Sequence, residues 1–348
     1  MKIKFAVGIG RNEKITEISE LAQLADEKGF SHMTLVDAPG LSRDVHVMAT
    51  IAAMSTRRIG IGHGVVDPYT HHPLVIANAA ASLHELTGGR AFLGLGAGGS
   101  FGKIMKPVRN KELREAVLFA KKFMSGEEAE FKGAKIKSEW IGGPVPIYLG
   151  ADNPMSLQLA GEVADGVYFM GGPPELIKWK VDHVYRGAEK VGRDPTKIDI
   201  CVRSYIYVTD SKEDAKRELS GHVPFHYEIF ERHKNDSAIA NLARTLEGES
   251  PGILDEMKRY SAALEEFRST QGGFDPWFEK IDAPYSVHMT QRIIDKIHQV
   301  GSVDQICTGI EKLAEVGVTT IATATYVIID KHRMLQDIAT KIMPNFRN

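Results

Sequence analysis

The run Gly62-His63-Gly64-Val65-Val66-Asp67-Pro68-Tyr69-Thr70-His71-His72-Pro73 gathers imidazoles, a carboxylate and two glycines into one short stretch. Histidine titrates near neutrality, so His63, His71 and His72 are candidate proton donors. Each also has a plainer reading, as a polar loop residue or helix-entry contact, and His63 should alternate with its strand neighbours. Gly62 and Gly64 let a backbone approach a flat ring or take an unusual dihedral. No His-x-x-x-His or Cys/His cluster has metal-ligand spacing, so no metal is assigned. Neither a Gly-x-Ser-x-Gly elbow nor a Walker loop appears, and acyl transfer and nucleotide hydrolysis drop out.

Three further places carry chemistry. Asp37 closes an apolar run and serves either as a cofactor or substrate contact or as the cap of the next turn. Gly94-Leu95-Gly96-Ala97-Gly98-Gly99 resembles a dinucleotide fingerprint only loosely, because no helix opens directly after it. A Gly-rich loop over a cofactor fits better. Gly150-Ala151-Asp152-Asn153-Pro154-Met155 ends a strand and starts a helix, with Asn153 as cap and Pro154 at its first position. Backbone N–H groups at such a start suit a phosphate, although capping alone accounts for Asn153-Pro154.

These residues need elements to position them. Apolar runs predict strands at 3–8, 33–36, 59–65, 91–95, 144–150, 167–170, 198–208 and 319–326. Helical periodicity falls between them, at 15–28, 45–53, 74–86, 112–124, 155–164, 176–190 and 303–316, with a last helix at 331–343. Glycines 29, 166 and 317 read as helix ends in a recurring helix–Gly–strand pattern. Eight strands alternating with helices predict an α/β fold, a (β/α)8 TIM barrel, whose strand C-termini carry the site. Residues 210–300 break the rhythm. They are charge-rich, helical in pattern and dotted with Phe225, Tyr227, Phe230, Phe274, Trp277 and Tyr285. The expectation is one domain over 1–348 with 210–300 as a helical lid within it; a second small domain or an oligomer arm is the alternative.

Composition narrows the class. A formal charge of -2 gives no electrostatic case for nucleic acid or an acidic membrane surface. Cys201 and Cys307 sit in apolar segments and read as buried hydrophobes rather than a disulfide pair. No signal peptide or membrane span is read, so cytoplasm is the default expectation.

Taken together, Gly62 to Pro73, Leu83-His84-Glu85-Leu86-Thr87-Gly88-Gly89-Arg90, Leu93 to Gly98, Val145 to Met155 and Ala160 to Gly166 resemble the bacterial-luciferase-like flavin and deazaflavin oxidoreductases. They are most similar to the methylenetetrahydromethanopterin reductase branch. The resemblance implies F420, with FMN as the alternative, bound by Asp37, Gly64, Val65, Val66, Asp67, Gly96, Gly98 and Gly150 to Met155. It also implies a homodimer and a non-proline cis peptide at Gly64-Val65, with Gly64→Val expected to abolish cofactor binding and leave the fold intact. Three departures stand out. Ala38 follows Asp37 where the family often has His, and Gly8 and Gly99 stand where the reductases carry acids. The proton donor is then sought in Asp37, His63, His71 or His72, or in His222 or His226 of the insertion. The leading expectation is F420-dependent hydride transfer with a small organic substrate. The alternatives are an FMN monooxygenase served by a separate flavin reductase, and a cofactor-binding barrel without turnover.

Overall fold

Alternation of apolar residues along the short strands closes them into a barrel. The computed structural model describes residues 2–10, 13–40, 42–98, 107–220, 226–270, 283–326 and 328–346. Eight parallel strands form the ring: β1 (Lys4–Ile9), β2 (His32–Leu35), β3 (Gly60–His63), β4 (Ala91–Leu95), β5 (Ile147–Gly150), β6 (Gly166–Met170), β7 (Asp199–Arg203) and β8 (Thr320–Ala324). β8 pairs with β1, Lys4 opposite Thr320, and completes the closure. The helices α1 (Ile15–Lys28), α2 (Val45–Met54), α3 (Pro73–Leu86), α4 (Asn110–Met124), α5 (Pro154–Val163) and α6 (Pro174–Lys190) alternate with the first six strands. The (β/α)8 expectation holds.

Outward residues such as Val7, Leu35, Ile61, Leu93 and Val202 join the main core under the helices. Ala6, Cys201 and Ala322, with Tyr168, form a separate cluster inside the barrel. The barrel floor is an aromatic plug. Tyr148 and Tyr168 stack at 5.0 Å, and His32 meets the Phe92 ring edge-on at 5.3 Å. Glycine makes room for these rings: a Cβ on Gly62 would lie 2.5 Å from Phe92, and one on Gly166 2.2 Å from Tyr148. Gly166 is therefore a strand residue that accommodates a ring, not the helix end its spacing suggested. Beneath the plug, Asp199 accepts hydrogen bonds from Tyr148 Oη at 2.7 Å and Lys4 Nζ at 2.6 Å.

Burial holds His32 neutral, with its pKa pushed down to about 4, and does the same for His63, down to about 3. Unfolding frees both to take protons at their ordinary value near 6.5. Their contribution to stability is thus complete above pH 6.5 and is lost as pH falls from there toward 4. Thermal melts should show an acid limb that starts above the carboxylate range. His32→Phe should flatten it, and an unchanged limb would remove His32 from this account.

The chain departs from expectation in two places. The seventh strand does not run to residue 208. It ends at Arg203, where the Ser204 N–H turns to the carbonyl of Ala322. Ile206–Val208 then pairs in parallel with Gln299–Gly301, a strand inside the segment read as strandless. Between them run helices Lys212–Leu219, His226–Arg232, Ser237–Glu249, Ile253–Ser269 and Gln291–Ile297. Ala129–Phe131 and Ala134–Ile136 form an antiparallel hairpin that the sequence reading also omitted. Gly99, His222, Phe225, Phe274 and Trp277, and the side chain of His226, lie outside the described residues.

Candidate active site

Small residues at the strand C-termini leave the barrel open above its aromatic floor. A cavity of about 370 Å³ occupies this mouth. Gly8, Gly64, Gly96, Gly150, Ala151 and Ala322 line it where bulkier side chains would fill it. The Gly64-Val65 peptide is cis. Val65 stands among β3, β4 and β5: a Cβ on Gly96 would meet it at 2.6 Å and one on Gly150 at 3.4 Å.

Asp37, just past β2, lines the cavity. Its Oδ2 lies 2.9 Å from Nε2 of His71, which arrives on the loop after β3. The hydrogen bond from the imidazole to this carboxylate raises the His71 pKa above its ordinary value, against partial burial. Behind His71 stand two more imidazoles. His46, on the first turn of α2, lies 5.4 Å from the His71 ring, and its Nδ1 is 3.3 Å from His63 Nε2. Burial lowers the pKa of both His46 and His63. Of the three imidazoles, His71 is thus the one whose surroundings favour the charged form, while those of His46 and His63 favour the neutral one.

The other sequence candidates divide. Gly64, Val65, Asp67, Gly96, Gly98, Gly150, Ala151, Asp152 and Asn153 reach the cavity. Asp67 also ties the loop: its Oδ1 accepts from the backbone N–H of Tyr69 and Thr70, both at 2.9 Å. Asp152 is held by Lys180, whose fully buried ammonium donates to Asp152 Oδ1 at 2.6 Å and to the Met170 carbonyl at 2.9 Å. Asn153 caps α5 through Oδ1, which accepts from Ser156 N at 3.0 Å.

Five candidates stand elsewhere: His63, His72, Val66, Pro154 and Met155 do not line the cavity. His63 is correctly placed on a strand but faces the helical layer, because Gly62 and Gly64 take the inward positions. His72 is the cap of α3: its Nδ1 accepts from Leu74 N at 3.2 Å and its ring packs on Phe131. Val66 is fully buried and bridges to Leu95, while Met155 is mostly exposed beside Pro154 at the start of α5. The Gly-Gly-Arg turn is also structural. Arg90 donates to the carbonyls of Ile59, Thr56 and Thr87, pinning the floor-side loops together.

Reading the sequence alone missed Thr34, Tyr168, Met170, Arg203 and Tyr326 on the cavity wall, and His46 behind it. The inward parity of the strand ends would have found Thr34 and Arg203. Nothing in spacing marks Tyr326, which lies beyond the end of β8. Among the described residues no group of His, Cys, Asp or Glu is placed to hold a metal ion, and no helix is long and apolar enough to cross a membrane.

Comparison with known proteins adds to this geometry. The luciferase-like monooxygenase family model matches residues 1–320. The 5,10-methylenetetrahydromethanopterin reductase of Methanolobus tindarius is 28% identical, over 97% of this chain and 99% of the relative. The F420-dependent hydroxymycolic acid dehydrogenase of Mycobacterium tuberculosis is 32% identical, over 56% of this chain and 60% of the relative. The solved structure of the coenzyme F420-dependent tetrahydromethanopterin reductase from Methanopyrus kandleri shares the fold, with a TM-score of 0.78 over the whole of both chains at 22% identity.

Proposed function

Because this chain belongs to the luciferase-like monooxygenase family, we propose that it is an F420-dependent oxidoreductase that transfers hydride to or from a small organic substrate. The observation that carries the reading is the glycine-lined mouth, backed by Val65, with Asp37 on its wall and hydrogen-bonded to His71. The mouth fits a flat ring. Side chains at Gly64 or Gly96 would collide with Thr34 or Val65 and close the slot. Gly64, Val65, Gly96, Gly98 and Gly150 hold the ring. The loop from Ala151 to Ser156 at the start of α5 takes the phosphate, with Asp152 neutralised by Lys180.

F420, when bound, supplies a two-electron hydride carrier. The chain supplies orientation and the proton. In the reducing direction the proton held on His71 Nε2 passes through the Asp37 carboxylate, which faces the cavity, to the substrate heteroatom, leaving His71 neutral and Asp37 ionised. In the oxidising direction the same pair accepts it. This assigns to His71 the task that the absent histidine at position 38 leaves open.

Fluorescence titration of the purified protein with F420 and FMN side by side tests the reading. Micromolar binding of F420 alone is expected. Binding of FMN alone would replace this reading with the oxygenase and its reductase partner.

α2 exposes Val47 and Met54, and α3 exposes Val75 and Leu86. Residues seven and eleven apart share a helix face, so each helix offers an apolar strip to a second copy of the chain. The expected mass by light scattering is that of a dimer; a single-chain mass at micromolar concentration would remove the second copy. The insertion over residues 210–300 governs the choice of substrate rather than of cofactor, although none of its described residues lines the cavity.

A further inference from the structure

Three carboxylates stand among the described residues of the cavity wall, and two of them are already engaged. Asp37 is the partner of His71. Asp67 uses both oxygens on its own loop, with Oδ2 accepting from the Thr70 hydroxyl at 3.1 Å. Asp152 is different. Its Oδ1 alone takes the Lys180 ammonium at 2.6 Å and the Met170 backbone N–H at 3.2 Å. Its Oδ2 accepts no hydrogen bond among the described residues, and the side chain is 40% exposed where it lines the cavity.

The clamp on Oδ1 is rigid. Lys180 comes from the second turn of α6, and its side chain is fully buried, which lysine rarely is unless paired. The ammonium also donates to the Met170 carbonyl at 2.9 Å and lies 5.3 Å from the centre of the Phe169 ring. Met170 is the last residue of β6, so one cation ties that strand end to the loop after β5. With Oδ1 held from two sides, Oδ2 is aimed before any ligand arrives. A carboxylate only accepts hydrogen bonds, so what it recognises is a donor. Lys180 already balances its charge, which leaves a hydroxyl as the fitting partner, in a short, charge-assisted bond. Position along the loop says which hydroxyl. Gly150, before Asp152, holds the ring, and the start of α5, after it, takes the phosphate. In F420 and in FMN alike, the group between ring and phosphate is a hydroxylated carbon chain.

We propose that Asp152 Oδ2 binds a hydroxyl of the cofactor's polyol side chain and that Lys180 is the positioning residue that aims it. This deepens the oxidoreductase reading and rests on its placement of the cofactor along the loop from β5 to α5.

The test titrates the full chain with two deazaflavins, followed by fluorescence. One is the F420 ring bearing only its ribityl chain, and the other carries a methyl group in place of that chain. Lys180→Met/Asp152→Leu removes the acceptor without stranding a buried charge, a replacement that such pairs tolerate. It should weaken the ribityl compound at least tenfold, as expected for a hydrogen bond to a charged group, and the methyl compound by less than twofold. Lys180→Met alone keeps the carboxylate but frees it to turn. It should show a smaller loss, again confined to the ribityl compound, and it decides the matter if the double variant does not fold.

Equal losses for the two compounds, or no loss for either, would overturn the proposal, because a merely structural defect does not sense the hydroxyls. If the wild type binds neither deazaflavin, the F420 reading fails by itself. Riboflavin and lumiflavin, which differ in the same ribityl chain, then take their place. A wild-type preference for riboflavin that the variants lose would uphold the role of Asp152, and its absence would overturn it.

Discussion

Replacing Asp37 by asparagine should lower turnover by about 10²–10⁴-fold, the range for a positioned proton-transfer group, while F420 affinity changes by less than tenfold. The expectation follows from geometry. Asp37 faces the cavity and is the partner of His71 at 2.9 Å, so the amide removes both the carboxylate that relays the proton and the anion that holds the imidazolium. NMR titration of the histidines supplies a readout that needs no substrate. In the wild type His71 titrates above 6.5, because its hydrogen bond to Asp37 favours the charged form. In Asp37→Asn its pKa falls, since partial burial then acts without the compensating anion.

The pH dependence has a defined sign. Reduction needs the protonated pair, so its rate falls as pH rises through the His71 pKa. The pair's contribution to stability follows the same direction, complete below 6.5 and lost as pH rises through the raised value. If Asp37→Asn retained full turnover, or left the His71 titration unmoved, the pair would not be the proton source.

Gly64→Ala should weaken F420 binding at least tenfold and destabilise the protein by about 1–3 kcal/mol, the usual cost of overpacking. The added Cβ would stand 2.4 Å from Thr34 Cβ and 2.9 Å from its Cγ2. Thr34 is β-branched and stiff, so the strand ends must separate. The expectation that Gly64→Val would spare the fold is corrected by this contact, which lies within the barrel wall itself. Thr34→Gly in the same chain should restore much of the affinity by removing the obstacle. Gly96→Ala is the companion variant: its Cβ would meet only the Val65 side chain, at 2.6 Å, so it should lose cofactor with less loss of stability. Wild-type affinity in both variants would contradict the cradle.

Much of the barrel was legible because each strand is a short apolar run and each helix repeats at its own period. Ala91–Leu95 and Ile15–Lys28 have the bounds that the pattern predicts. The Asn153-Pro154 start of α5 was equally plain, since capping chemistry is local. The hairpin at Ala129–Phe131 and the strand at Gln299–Gly301 were not. Three residues are too few to show a period, and these strands exist through partners elsewhere in the chain.

The site divides along the same line. The sequence by itself determined the fold class, the loops that reach the mouth and the glycines that keep it open, because these follow from periodicity, turns and capping over a few neighbouring residues. It also supplied Asp37 and a set of histidines without ranking them. Tertiary structure decided that His71 meets Asp37, that His63 turns to the helices, that His72 is a cap, and that Arg203 and Tyr326 reach the cavity wall. The physical reason is that inward parity and ring closure bring β2, β3, β7 and β8 together across long stretches of chain. Which imidazole meets which carboxylate depends on that closure, and no local spacing encodes it.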